Sequence, residues 1–237
     1  MNLQKFGYCE CCKSETKFLA EKEDLREYYL CVKCGCVPRE RALMRVLNDH
    51  FDDISSIIIH ESSPSERGGS ILLKAECKNY VSSHYWEDPN YREAPHLNVN
   101  LEAQSLASNS FDLVVLQDVF EHLVNPWNAA KEICRTLKNG GYIIQTVPLI
   151  NGFSPTQQWA KKNDSGSIEW IYEPDYHGNP IDPEGSPVFW HFGYDLASKI
   201  DNWANFNSII ISNQLPDYGI EGRLCEVIVS RKITKDE

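Results

Sequence analysis

Four cysteines in two close pairs carry the plainest chemistry in the 237-residue chain: Cys9-x-x-Cys12 and, eighteen residues further on, Cys31-x-x-Cys34. Each pair suits a tight turn that aims two sulfurs at one point, and four thiolates complete a tetrahedral shell around Zn2+. Such a shell leaves no open coordination position. The expectation is therefore a structural zinc that holds a small fold together and does no chemistry of its own. Cys11 and Cys36 keep other pairings open, Cys9 with Cys11 or Cys34 with Cys36, or stand as free thiols beside the shell. Nine cysteines, an odd number with six of them between Cys9 and Cys36, argue for a metal over a disulfide framework. Cys134, in a predicted helix, and Cys225, in the last predicted strand, read as buried structural thiols, and Cys77, before the second strand, has no evident base partner.

Composition narrows the partners. A formal charge of -11 makes the average surface repel phosphate, and residues 1–50, with nine Lys/Arg and eight Asp/Glu, leave the acidity in the remainder. That disfavours bulk RNA or DNA and favours a small or neutral substrate. No signal peptide opens the chain and no apolar run approaches the roughly 20 residues of a membrane span, so a cytoplasmic protein without a membrane partner is expected. A hydrophobic content of 42% permits one α/β domain with a small appended module.

The elements that must position this chemistry follow from periodicity. Residues 1–37 form the cysteine module, and residues 38–53 a connecting helix in which Leu43, Val46, Leu47 and Phe51 recur at helical spacing. From Ile54 strands alternate with helices: Ile57–Ile59, Tyr80–Ser83, Leu97–Val99 and Phe111–Leu116 read as buried strands. A helix over Pro126–Leu137 is expected to be capped by Asn125 and ended by Gly140-Gly141, with a fifth strand over Tyr142–Val147. The Pro-, Gly- and aromatic-rich stretch 151–193 is too long for an ordinary connection and reads as an insertion over the site. A helix over Asp195–Trp203 and strands over Asn207–Ser212 and Leu224–Ser230, turned by Pro216–Gly222, complete a domain over 54–232.

The block from Ser110 through Gln117-Asp118 and Glu121-His122 to Leu123, then a helix, then Leu137 through Gly140-Gly141 to Pro148, resembles class I S-adenosylmethionine-dependent methyltransferases of the type 11 kind. The resemblance covers residues 54–150 well and weakens toward 232. It implies a Rossmann-like, seven-stranded, mostly parallel sheet with a C-terminal antiparallel hairpin, beside the small ribbon-like zinc module. The family's glycine-rich turn after strand one is replaced here by Ile59-His60-Glu61-Ser62-Ser63-Pro64-Ser65-Glu66-Arg67-Gly68. That text is similar to a subgroup with a cysteine module and an Arg-x-Arg helix, as in Arg39-Glu40-Arg41.

The resemblance implies an S-adenosylmethionine site at the carboxyl edge of the sheet, where open α/β folds bind ligands. Its residues would be His60, Glu61 and Ser62 after strand one, Ser83 and His84 in place of the usual acidic residue after strand two, and Asn100 and Leu101 against the adenine. Gln117 and Asp118 would follow strand four. His122 falls beside the methionine end, as a general base or substrate-orienting group, or as a helix-entry histidine that only bonds the backbone. His177, in Asp175–Pro180, is a candidate substrate-side base or an incidental turn residue. Trp170, Tyr172, Tyr176, Phe189, Trp190, Phe192 and Tyr194 either wall a pocket for a sugar or aromatic ring or form the core of the insertion itself.

The reading is methyl transfer to a small-molecule acceptor, such as a sugar, nucleotide sugar or glycan end. The alternatives are a degenerate fold that holds a partner, and an RNA methyltransferase, which the zinc module favours and the acidity opposes.

Overall fold

The computed structural model describes residues 3–88, 90–91, 93–179 and 182–234. At the N-terminus, β1 (Leu3–Cys9), β2 (Ser14–Ala20) and β3 (Tyr29–Cys31) form an antiparallel sheet, with one helical turn, α1 (Leu25–Tyr28), between the last two. Pairing of Cys9 with Ser14 and of Phe18 with Cys31 sets the two cysteine turns side by side. The next element, α2 (Pro38–His50), starts with Pro in its first turn, where the missing N–H costs nothing. The Val37 backbone N–H donates to Glu40 at 3.1 Å, closing that end. Leu43, Val46 and Leu47 are buried at the expected spacing, and Phe51 packs half-buried against the same core.

Next come β4 (Ile58–Ser62), α3 (Gly68–Glu76), β5 (Asn79–His84), β6 (Leu97–Asn98), β7 (Phe111–Gln117), α4 (Pro126–Thr136) and β8 (Leu137–Thr146). The insertion carries β9 (Gln157–Gln158), β10 (Ala160–Lys162), β11 (Ile168–Trp170), β12 (Tyr176–Asn179), β13 (Asp182–Pro187) and β14 (Trp190–His191), paired as three short antiparallel two-stranded sheets, β9 with β14, β10 with β11 and β12 with β13. The chain ends on α5 (Leu196–Trp203), β15 (Phe206–Ile211) and β16 (Val227–Lys232). The central sheet has seven strands in the order β6-β5-β4-β7-β8-β16-β15, with β16 antiparallel to both neighbours. Among the described residues no helix is long and apolar enough to cross a membrane.

Period-two alternation sorts the strands between two cores. Leu113 and Val115 of β7 face Leu43, Leu47 and Leu73 and share their core with Phe18 and Tyr29 of the N-terminal sheet. Val114 and Leu116 face Ile133 of α4 and Leu196 and Ile200 of α5. Both faces are covered, which is why β7 reads as a continuous apolar run.

Three local expectations are corrected. Asn125 makes no side-chain cap on α4. The Glu102 carboxylate accepts instead from Val124 N at 2.7 Å, Asn125 N at 3.0 Å and Asn125 Nδ2 at 2.9 Å, and a negative charge at a helix N-terminus is favoured by the macrodipole. Gly140-Gly141 does not end that helix, which stops at Thr136. The glycines lie inside β8, where the register with β7 shifts, and a Cβ on Gly141 would stand 3.0 Å from the Asp112 carbonyl oxygen. The last strand starts at Val227, so Cys225 is buried just before it.

Candidate functional site

The chain runs outward from β4 to β5 and β6, then crosses back to β7 and β8, so strand order reverses between β4 and β7. An open α/β sheet leaves a ligand crevice at the carboxyl ends of such a pair. Glu61 and Ser62 end β4, and Gln117 ends β7. Glu61 is fully buried and accepts three hydrogen bonds, from Ser70 Oγ at 2.6 Å, Tyr80 Oη at 2.7 Å and Gln117 Nε2 at 3.0 Å. Burial pushes its carboxyl up from the ordinary value, and these three donors partly offset the push.

The other cofactor candidates separate by depth. His60 is wholly buried on the opposite face of β4, bonded through Nε2 to Ser83 Oγ at 2.8 Å and packed on Phe111. Burial lowers its imidazole to about 4. Ser62 and Ser83 are buried side by side in register. His84 stands edge-on to His96, 4.5 Å between ring centres, and is lowered to about 4 by burial and then by His96. Asn100 turns its Oδ1 back to the Glu102 N–H at 2.9 Å, and Leu101 is buried in the α4 core.

Asp118 is already claimed. Its Oδ2 lies 2.6 Å from Arg26 Nη2 and 2.8 Å from Arg39 Nε, and its Oδ1 accepts from Thr146 Oγ1 at 3.0 Å. Burial opposes its ionisation, yet Arg26 and Arg39 hold the carboxyl below the usual carboxylate range. Both arginines come from the N-terminal segment. Arg39 had a signal in the Arg-x-Arg pattern; Arg26, in a polar stretch before β3, had none. Arg41 of the same pattern is buried and donates to the Gly219 carbonyl at 2.7 Å, to that of Tyr29 at 2.8 Å and to that of Cys36 at 2.6 Å. The turn after β4 leans on the cysteine module as well: Gly68 N donates to the Cys34 carbonyl at 3.3 Å, and Arg67 Nε donates to Glu40 at 3.0 Å.

Cys9, Cys12, Cys31 and Cys34 converge, their sulfurs within 4.8 Å of one another. The Cys9–Cys34 and Cys12–Cys31 separations are 3.8 and 3.9 Å. A tetrahedral zinc shell with bonds of about 2.3 Å has sulfurs about 3.8 Å apart, so the donor set fits that ion. Cys9, Cys11 and Cys36 also lie within the same span, and Cys36 Sγ is 3.4 Å from Cys9 Sγ. Arg41 Nη1 approaches Cys36 Sγ at 3.4 Å, which gives that thiol a partner of its own.

His122 and His177, 55 residues apart in the chain, meet with ring centres 5.2 Å apart and perpendicular planes. The insertion makes this contact: Phe189 N donates to the Glu121 carbonyl at 2.8 Å, and His122 Nδ1 lies 2.9 Å from the Pro187 carbonyl oxygen. The His122 ring thus bonds the backbone on one side and keeps Nε2 free to face the Glu121 carboxylate. Glu121 itself was legible only as the neighbour of His122. Of the aromatic residues, Phe189 and Phe192 are buried, and Phe192 joins the main core that β7 shares with α4 and α5. Tyr172 and Tyr176 are exposed, with Tyr172 stacked on Trp159 and Tyr176 tilted against Trp170.

Comparison with known proteins agrees with this fold. The family described as "Methyltransferase domain" matches residues 74–145, from α3 to β8. Among the curated proteins none matches the chain in sequence. The structure is similar to an S-adenosylmethionine-dependent methyltransferase from Mesorhizobium loti, at 11% identity and a TM-score of 0.52, over 80% of this chain and 97% of that one. It is also similar to the 1,6-didemethyltoxoflavin-N1-methyltransferase of Burkholderia thailandensis, solved with S-adenosylhomocysteine, at 12% identity and a TM-score of 0.55, over 83% of this chain and 79% of that one. The reversal of strand order at β4 and β7, the antiparallel β16 and the matched segment agree on one architecture, the fold of the class I S-adenosylmethionine-dependent methyltransferases.

Proposed function

We propose that the protein transfers a methyl group from S-adenosylmethionine to a small acceptor, a sugar, a nucleotide sugar or a glycan end. The supporting observation is that His122 and His177, far apart in sequence, meet just beyond β7, close to the edge where this fold takes its ligand. The bound cofactor would supply an electrophilic methyl group on a sulfonium. In this reading Ser62, Ser83, His84, Asn100 and Leu101 hold it, and Glu61 acts by fixing Gln117 and Ser70. Asp118, whose charge is spent on two arginines, positions the loop. His122 and His177 orient an acceptor hydroxyl and take its proton, and the insertion excludes water.

The acceptor class rests on the net charge of -11, which opposes polyanions, and on exposed aromatic faces such as Tyr172 and Tyr176 that suit a sugar ring. We place the zinc module at residues 1–37, the connecting segment at 38–53 and the methyltransferase domain at 54–232, in a cytoplasmic protein.

A second reading, a partner-holding scaffold on the same fold, draws on Glu61 and Asp118 both being satisfied internally. Calorimetric titration of the zinc-loaded protein with S-adenosylhomocysteine separates the two. Micromolar binding, weakened about tenfold in Glu61→Ala, supports the enzyme; no detectable binding sinks it and favours the scaffold.

A further inference from the structure

We propose that Glu121, His122 and His177 form a second metal site, distinct from the cysteine cluster, which takes a divalent first-row cation through two imidazoles and one carboxylate. The three ligand atoms lie within 4.8 Å of one another. Glu121 Oε1 is 3.5 Å from His177 Nδ1 and 3.7 Å from His122 Nε2. These separations are too long for hydrogen bonds. Ligand atoms that share one cation at bonds of about 2.1 Å sit about 3.0–3.4 Å apart, so small side-chain rotations close the shell.

Two further observations point to an ion. The Glu121 side chain is only 2% exposed, and neither carboxylate oxygen has a hydrogen-bond partner. A buried carboxylate without donors is costly, and a cation between it and the imidazoles removes that cost. The second observation is the set of the His122 ring. A carbonyl oxygen can only accept, so the Pro187 carbonyl at 2.9 Å places the hydrogen on Nδ1 and leaves the lone pair of Nε2 directed at Glu121. Metal-bound histidines are held in the same way, with the second ring nitrogen donating to a carbonyl or carboxylate.

Three protein ligands leave coordination positions open, unlike the closed four-cysteine shell. The His177 side chain is 36% exposed, so the open side faces solvent. An acceptor oxygen would enter the shell there. With a cation bound, His122 and His177 are ligands and no longer take the hydroxyl proton themselves, and the cation would instead acidify that hydroxyl so that its proton leaves to water. That use rests on the methyl-transfer reading, whereas the site itself stands on the geometry.

The test is Mn2+ titration of zinc-loaded full-length protein, followed by electron paramagnetic resonance, because the closed thiolate site then has no vacancy. The wild type is expected to bind one Mn2+ per chain, and Glu121→Gln and His177→Gln are each expected to weaken it at least about tenfold. Circular dichroism and the unfolding midpoint confirm that each variant is folded, and His177→Gln, at a side chain 36% exposed, serves should Glu121→Gln fail to fold. Absence of Mn2+ binding to 1 mM in the wild type, or equal affinity in wild type and both variants, overturns the site. S-adenosylhomocysteine affinity is measured separately on the same samples, so that loss of cofactor binding with Mn2+ binding intact counts against the methyl-transfer reading alone.

Discussion

Arg26 Nη2 stands 2.6 Å from Asp118 Oδ2, tying the helical turn between the cysteine pairs to the residue that follows β7. The two side chains are 13% and 16% exposed, so screening by solvent is limited. Arg39 approaches the same oxygen at 2.8 Å, and one carboxylate thereby joins two segments of the N-terminal region to the ligand edge. Arg26→Ala is expected to lower the stability measured by urea unfolding by about 2 kcal/mol, less than a fully buried pair would lose, because Arg39 remains. A double-mutant cycle with Asp118→Asn should give a coupling energy above about 1 kcal/mol. Purely additive losses would show that the contact carries no energy.

On the proposed zinc binding by the four thiolates, metal removal should be felt beyond the cysteines. Gly68 N reaches the Cys34 carbonyl, and Arg67 reaches Glu40, so the turn between β4 and α3 rests on the knuckle that the thiolates organise. Stripping zinc with a strong chelator, or Cys31→Ser, is expected to unfold β1–β3 and to raise amide exchange in residues 63–68 while α4 keeps its protection. Unchanged protection in residues 63–68 after the metal has left would contradict this dependence.

A pH dependence follows from His60. Its Nδ1 is buried without a partner, and burial lowers the imidazole to about 4, below the ordinary 6.5. The native state holds the neutral ring. Stability from this group is therefore complete above about pH 6.5, falls as the unfolded chain takes up the proton between pH 6.5 and 4, and levels off below 4. The loss over that window is about 3 kcal/mol. Since other groups titrate there too, the readout is a difference. His60→Gln, which retains a donor for Ser83, should lose about 3 kcal/mol less than wild type between pH 7 and pH 4. Equal losses would refute the assignment.

How far the sequence reaches can be read from particular residues. Leu113 to Leu116 announced β7 because a strand covered on both faces must be apolar throughout, and Cys9, Cys12, Cys31 and Cys34 announced their own convergence by spacing. Local pattern could not say that Glu102, 24 residues before Pro126, supplies the charge at the α4 N-terminus in place of Asn125. Nor could it tell that Asp118 is neutralised by Arg26, 92 residues away. Both are long-range hydrogen bonds to a carboxylate, which leave no periodicity. His122 and His177 were each visible singly, but their meeting depends on the insertion folding back onto Glu121, and that is a property of the fold.

The turn after β4 lacks the usual run of glycines but retains one position that only glycine suits. Gly68 has φ +54°, and a Cβ there would stand 2.7 Å from both Cys36 Cβ and Glu40 Oε2. Two costs follow for Gly68→Ala: about 1–2 kcal/mol for a side chain in the left-handed region, and about 1–3 kcal/mol for displacing neighbours that the knuckle holds rigidly. Gly166, at φ +81° with open space around it, is the control, since alanine there incurs only the conformational cost. Urea midpoints should therefore fall markedly further for Gly68→Ala than for Gly166→Ala, and the Gly68 variant alone should hold zinc more weakly. Equal destabilisation at the two sites would mean that the turn tolerates separation from the knuckle, and that the N-terminal region does not set the shape of the ligand edge.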